Sequence, residues 1–286
     1  CSYRWIETPL KKGSWFGKRW KTLLVGGGVL VPLSSFLIAL GIPLKGKMFV
    51  GDENNKWNMQ VYKDTKIINN ITLPTIYLLG DSHSGHYGAI MNELSEKKEF
   101  NIVMHPKGRG LKLLNKDMKE YILSPLREYK NNFKKGDVII FAAHIDKYFK
   151  NGQDWTKQYS TFIQQTQNIG MEYILISPTP SFEGVKKGST CQVEWYRPSW
   201  AISPLCFSRL KKIDWFSSNV VPLKKIEKFL SENPKVSYID AFSVLCPDDY
   251  CRNHDHLSQM YKDGNHLNNY GAMKLSDTFK TFILLK

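Results

Sequence analysis

The sequence is short of acids, short of cysteines and free of any repeat at a fixed period. Asp and Glu number 26 against 40 Lys and Arg in 286 residues, a formal charge of +14. Such a balance suits nucleic acid, an anionic membrane surface or an acidic glycan. No arginine-rich tract, helix-turn-helix signal or RNA-binding aromatic motif accompanies it, so no nucleic-acid partner is expected. Five cysteines are too few for a small disulfide scaffold, and none forms a CxxC pair, which argues against a zinc ribbon. At 42% hydrophobic, 13% aromatic and 23% charged, the chain is neither disordered nor of low complexity. It begins with Cys1 rather than Met, and the expectation is a piece of a longer protein.

Charge and apolarity are unevenly placed. Residues 1–21 hold six basic groups (Arg4, Lys11, Lys12, Lys18, Arg19 and Lys21) and one acid, Glu7. Residues 22–44 then run without a charge, and 14 of these 23 are Leu, Val, Ile, Phe or Ala. A helix of that length spans roughly 34 Å, enough for a bilayer core. Gly26, Gly27, Gly28 and Pro32 would disfavour it in water but are tolerated in a membrane. Basic residues stay on the cytoplasmic side, so the expectation is a transmembrane helix with everything after Lys45 exported. Cys191, Cys206, Cys246 and Cys251 all lie beyond the span, where an oxidising compartment permits bridges. Of the three possible pairings, Cys246 with Cys251 closes a short polar turn, and Cys191 with Cys206 clips a Pro-containing excursion. Cys1 stays unpaired on the reducing side.

Residues 45–73 are polar and Asn/Lys-rich and read as a linker or extension. Beyond Pro74, short apolar runs alternate with amphipathic stretches. Thr75–Leu79, Asn101–Met104, Asp137–Ala143, Glu172–Ser177 and Lys235–Ile239 have the length and bounding residues of buried strands. Tyr87–Lys98, Asn115–Asn131, Trp155–Ile169, Leu223–Glu232 and Asn268–Leu284 read as helices. The alternation predicts an α/β domain with a five-stranded parallel sheet covered on both faces. Residues 181–221, rich in Trp, Ser and Pro, form an insertion before the last strand. In such sheets ligands bind beyond the carboxyl ends of strands.

Two loops at those ends carry chemistry. The first strand runs into Gly80-Asp81-Ser82-His83, which puts Ser82 at a helix N-terminus, where N–H groups and the dipole favour a developing negative charge. It is not a GxSxG elbow, because position 84 is Ser. Near the other end stands Asp263-Gly264-Asn265-His266, a turn in which the carboxylate can fix the imidazole that reaches the serine. Either segment alone has a bland reading, a helix cap or a surface His; together they point to a nucleophile, a base and its orienting acid. His83 and His86 read as structural. His254-Asp255-His256 looks superficially like a metal site but lacks supporting spacing, so no metal is expected.

These two blocks resemble the first and last blocks of the SGNH (GDSL-like) hydrolase superfamily. The resemblance implies a flavodoxin-like three-layer fold and a catalytic triad of Ser82, His266 and Asp263. It also implies an oxyanion hole from Ser82, a Gly after the second strand and an Asn after the third. Gly108 fits the Gly, with Gly110 a rival, but Ala142-Ala143-His144-Ile145-Asp146 has no Asn. His144 either donates in its stead or is a satisfied structural histidine. Ser2-Tyr3-Arg4-Trp5-Ile6-Glu7-Thr8-Pro9-Leu10 is similar to the tail motif of acyltransferase family 3 membrane domains. The resemblance therefore implies four parts: 1–21 the tail of a membrane acyltransferase domain, 22–44 a transmembrane helix, 45–73 a linker, and 74–286 the SGNH domain.

A function is implied by the same resemblance. Fused proteins of this kind O-acetylate bacterial surface polysaccharides such as the O-antigen of lipopolysaccharide. The upstream membrane domain would supply acetyl groups derived from cytoplasmic acetyl-CoA, and this domain would bind no cofactor of its own. The acceptor would be a glycan in the periplasm, reached from an inner-membrane anchor. Trp195, Tyr196, Trp200 and Trp215 would stack on sugar rings or form the small core of the insertion. An exported carbohydrate acetylesterase and a non-catalytic glycan-binding module are the alternatives.

Overall fold

The computed structural model describes residues 19–44, 65–106, 127–144, 148–149, 152, 154–182, 203–255 and 258–284. The chain divides into two compact units, Cys1–Val50 with Glu194–Tyr196, and Gly51–Val193 with Arg197–Lys286. In the first unit the described residues form one helix, α1, Arg19–Leu44. Leu24, Val29, Leu30, Val31, Leu33, Phe36, Leu37 and Ile38 on it are 51–67% exposed. Among the described residues no helix is long and apolar enough to cross a membrane. The tail motif at residues 2–10, Cys1 and residues 45–64 lie outside the described residues.

The second unit is an α/β domain around a six-stranded mixed sheet, which corrects the expected five-stranded parallel one. The strands are β1 Thr65–Ile67, β2 Thr75–Gly80, β3 Asn101–Pro106, β4 Val138–Ala142, β5 Glu172–Ile176 and β7 Val236–Ile239, in spatial order β1-β3-β2-β4-β5-β7. All neighbours are parallel except β1, which runs antiparallel to β3 with Thr65 opposite Met104. β1 has three residues in a polar stretch, too few to show a period of two. Its loop is pinned by side chains instead: Asn101 Oδ1 accepts from the N–H groups of Asn69 and Asn70, and the Asn69 amide donates to Ser95 O and Phe100 O. The Asn101 amide also donates to Asn70 O and Leu73 O.

Strands buried on both faces need apolar residues at every position, and alternate residues then serve opposite layers. Ile76 and Leu78, Ile102 and Met104, Val138 and Ile140, and Ile174 and Ile176 join one core cluster. Tyr77 and Leu79, Val103, Ile139 and Phe141, and Tyr173 and Leu175 join the other. The first cluster is completed by α2 (Gly88–Glu96) and α8 (Ser276–Leu284), through Ile90, Met91, Leu94 and Phe279. The second is completed by α3 (Thr156–Thr166) and α5 (Val220–Glu232), through Tyr159, Phe162, Ile226 and Phe229.

Several boundaries depart from the sequence reading. The helix after β2 lies where Tyr87–Lys98 was expected, at Gly88–Glu96, but a 3-10 turn over Ser84–Tyr87 precedes it. The final helix is two: α7 (Asn269–Met273), capped by Asn268 accepting from Gly271 N–H, and α8. The break before α8 falls where Ser276 turns its hydroxyl onto Glu93. The expected helix Asn115–Asn131 lies mostly outside the described residues. The insertion is partly regular. Its β6 (Arg209–Lys211) pairs antiparallel with β8 (Tyr250–Arg252), and α4 (Lys212–Ser218) buries Trp215 against Phe242 of α6 (Ala241–Leu245), ring centroids 4.0 Å apart. Trp215 is thus core, and Trp195, Tyr196 and Trp200 lie outside the described residues. Cys246 bonds to Cys251 across Cα atoms 4.4 Å apart. Cys206 is also in a disulfide, while Cys191 lies outside the described residues.

Candidate active site

β2 and β4 are adjacent in the sheet, and their carboxyl ends set the first half of the site. Gly80 ends β2 at φ 142°, a backbone that L side chains rarely adopt. A Cβ there would also stand 1.7 Å from the carbonyl oxygen of Ala142 in β4, so only glycine lets the two strand ends close. The next residue, Asp81, is buried and ties the loop together. Its Oδ1 accepts from His83 N–H at 2.8 Å, and its Oδ2 accepts from His144 N–H at 3.1 Å, linking the loops after β2 and β4. Its carbonyl accepts from both the N–H and the hydroxyl of Ser84. Ser82 is held at the tip of this Asx-type turn rather than at the first turn of an α-helix, which is where the sequence put it. The Asp-Ser pair carried the signal, since Asp favours bonds to backbone N–H groups two residues on.

The second half comes from the turn before α7. Asp263 Oδ1 accepts from Asn265 N–H at 3.0 Å and His266 N–H at 2.9 Å, which folds the carboxylate back under the imidazole. Gly264 is required, because a Cβ would meet Phe182 O at 2.4 Å, and Phe182 N–H donates to Gly264 O. His266 Nδ1 lies 2.9 Å from both carboxylate oxygens and Nε2 lies 2.9 Å from Ser82 Oγ. An ionised carboxylate can only accept, so Nδ1 carries the proton and the Nε2 lone pair accepts from the Ser82 hydroxyl. Partial burial pushes the Asp263 carboxyl up. Hydrogen bonds from the His266 ring and from the Asn265 and His266 N–H groups, with the attraction of His266, outweigh that and hold it well below the usual carboxylate range. The acid therefore stays charged and keeps the imidazole in one tautomer.

The structure thus brings Ser82, His266 and Asp263 together from loops 184 residues apart in sequence. The predicted oxyanion partners stand differently. Gly108 and Gly110 lie outside the described residues. The backbone N–H of His144 is engaged by Asp81, and its ring stacks on that of His83 with centroids 4.3 Å apart. His254 and Asp255 lie in a short strand, with Asp255 accepting from Tyr270 Oη and paired with Lys274; His256 lies outside the described residues.

Sequence reasoning missed how closely four histidines converge. His83 and His86, read as structural, are 4% and 1% exposed and flank His266, with ring centroids 5.1 and 5.4 Å from it. Burial, reinforced by repulsion from the His266 ring whenever that is protonated, drives the His86 imidazole well below its ordinary range, so it is neutral. The spacing of His83 and His86, three residues apart across a 3-10 turn, was the available signal.

The family model described as the SGNH domain (fused to AT3 domains) matches residues 51–281, most of the chain. No curated protein matches. Among solved structures, the chain is similar to a Streptococcus pneumonia protein assigned as a platelet activating factor: 15% identity, TM-score 0.44, covering 89% of this chain and 97% of that one. It is also similar to a GDSL-like lipase from Bacteroides thetaiotaomicron: 12% identity, TM-score 0.43, covering 82% and 98%. A Slackia heliotrinireducens protein assigned to the SGNH hydrolases aligns at 12% identity and TM-score 0.45, over 73% and 100%. Likenesses this distant carry no argument about substrate.

Proposed function

Because the chain belongs to the family of SGNH domains fused to AT3 domains, we propose that it transfers acyl groups, acetyl first, to a sugar hydroxyl of a bacterial cell-surface glycan such as O-antigen. One observation carries the enzymatic part: the unbroken line Asp263–His266–Ser82, each contact 2.9 Å. Ser82 Oγ attacks the acyl carbonyl while His266 Nε2 takes its proton. The tetrahedral intermediate collapses, His266 returns the proton to the departing group, and the acyl group stays on Ser82. A sugar hydroxyl then attacks the acyl-serine, losing its proton to His266 and regenerating the serine. Asp263 stabilises the imidazolium at each stage without taking the proton.

The family description, fusion to AT3 domains, supports an upstream acyltransferase family 3 membrane domain; in this proposal that domain passes on acetyl groups derived from acetyl-CoA, and the SGNH domain holds no cofactor of its own. Support for an inner-membrane anchor with residues after 45 in the periplasm comes from the six basic residues before an uncharged 23-residue stretch. The exposed apolar side chains of α1 agree with that, because a surface of this kind in water would be a liability. So does the Cys246–Cys251 bridge, which suits an oxidising compartment.

One observation favours hydrolysis instead. The side chains of His266 and Asp263 are 22% and 35% exposed, so water reaches the base unless the acceptor covers it. The test presents the full chain in detergent with an acetyl ester donor and a panel of sugars, and measures acetyl-sugar and free acetate separately. Acetyl-sugar, lost in Ser82→Ala, is the expected result. Acetate alone would make the protein an acetylesterase. Neither product, with sugar still bound, would leave a glycan-binding module and sink the enzymatic reading.

A further inference from the structure

The His266 imidazole belongs to a second arrangement that acyl transfer does not use. His83, His86 and His266 can each present one ring nitrogen such that the three atoms lie within 4.8 Å of one another. Their ring centroids are 4.5 Å apart for His83 and His86, 5.1 Å for His83 and His266, and 5.4 Å for His86 and His266. His86 is 1% exposed, and neither its Nδ1 nor its Nε2 has a hydrogen-bond partner. A neutral imidazole holds one N–H donor and one lone pair, and leaving both unmet in a buried position is costly. A lone pair aimed among other imidazole nitrogens is what a cation would satisfy.

We infer that His83, His86 and His266 form a binding site for a divalent transition-metal ion, zinc in the first instance. Three neutral imidazoles suit zinc and its neighbours in the first transition row, whereas magnesium and calcium require oxygen ligands. Zinc holds imidazole nitrogen at about 2.0–2.1 Å in a tetrahedral arrangement, which would draw the three nitrogens to roughly 3.4 Å from one another. Asp263 supplies the outer carboxylate that ligating histidines commonly bond with their other ring nitrogen. His266 has one nitrogen to offer, because Nδ1 faces the carboxylate. Nε2 is therefore the ligand, and it is the same atom that accepts from Ser82 Oγ. Metal and nucleophile compete for one lone pair, so the bound ion switches the base off. That consequence rests on the proposed triad; the metal site itself does not.

The test uses the full chain in detergent, stripped with a chelator and titrated with zinc, and with cobalt as a visible-absorption reporter of tetrahedral nitrogen coordination. The expected result is one zinc per chain, with magnesium failing to compete. Removing an outer-shell partner alone costs about 10–100-fold in affinity, so loss of a ligand in His86→Leu or His266→Gln should weaken binding by about 100-fold or more. Ser82→Ala should bind zinc undiminished. His266→Gln, at a half-buried position, decides the matter if His86→Leu does not fold. No zinc bound by the wild type, or undiminished binding by a folded His266→Gln, would overturn the site. Wild-type turnover that persists at saturating zinc would overturn the competition for Nε2. Full turnover in Ser82→Ala would sink the acyl-serine reading and leave the metal site standing, so the two failures are told apart.

Discussion

Along β2, Tyr77 and Leu79 enter one core cluster and Ile76 and Leu78 the other, and from that alternation the two faces of the sheet diverge. The Tyr77 face is an aromatic interlock. Trp155 is fully buried there, with Phe141, Phe149 and Phe229 at ring centroids of 5.7, 5.6 and 5.4 Å. The Ile76 face contains Tyr87, Phe182, Tyr261 and Leu267, which lie beside the loops of Ser82 and His266, together with the Cys246–Cys251 bridge. One face holds the sheet; the other holds the loops in place above its carboxyl edge. Damage to the first should therefore cost stability, and damage at the edge should cost rate.

Ser82→Ala should give the largest effect, a loss of about 10⁶-fold in acyl-ester turnover, with stability changed by less than about 1 kcal/mol. A comparable loss of stability, measured by denaturant unfolding, would break the division between edge and face. Asp263→Asn should come next, about 10⁴-fold in rate, because the wrong imidazole tautomer would then face the serine. The same variant carries a pH signature. The folded-state pKa of Asp263 lies below its unfolded value of about 3.9, so its contribution to stability is complete above that value and is lost as pH falls from there through the folded-state pKa. The stability difference between wild type and Asp263→Asn should shrink as pH falls below about 4. A gap that widens on acidification would contradict the sign.

Trp155→Ala should do the reverse of Ser82→Ala. It should destabilise by about 3–5 kcal/mol, as large core truncations do, while turnover per folded molecule stays within about threefold. A loss of turnover at full folding would mean that the aromatic face shapes the site. Smallest of all should be paired replacement of Cys246 and Cys251 by Ser, about 2 kcal/mol of stability for so short a loop, with turnover retained.

The sequence made the Tyr77 face and its strands easy to find, because apolar runs such as Thr75–Leu79 and Asp137–Ala143 must be buried wherever they lie. β1 escaped because three residues in a polar stretch show no period, and what fixes their place, the ladder with β3 and the Asn101 and Asn69 side-chain bonds, joins positions distant in sequence. The proposed triad was readable because Gly80-Asp81-Ser82 and Asp263–His266 each fold through their own local bonds. The service of Asp81 to His144, and the approach of His86 to His266, were not, since both contacts cross between loops that sequence alone does not bring together. The single-helix expectation for 268–284 failed for a similar reason: the partner of Ser276 is Glu93, far back in the chain.

The most direct test of the central claim is to catch the acyl group on the protein. Wild-type chain is mixed with an activated acetyl ester, quenched within one turnover, digested and weighed peptide by peptide. The account predicts one acetyl group on the peptide that contains Ser82, absent from Ser82→Ala and from wild type quenched after acceptor sugar is added. Rapid turnover with no acyl group on that peptide, or with the group on another residue, would contradict it.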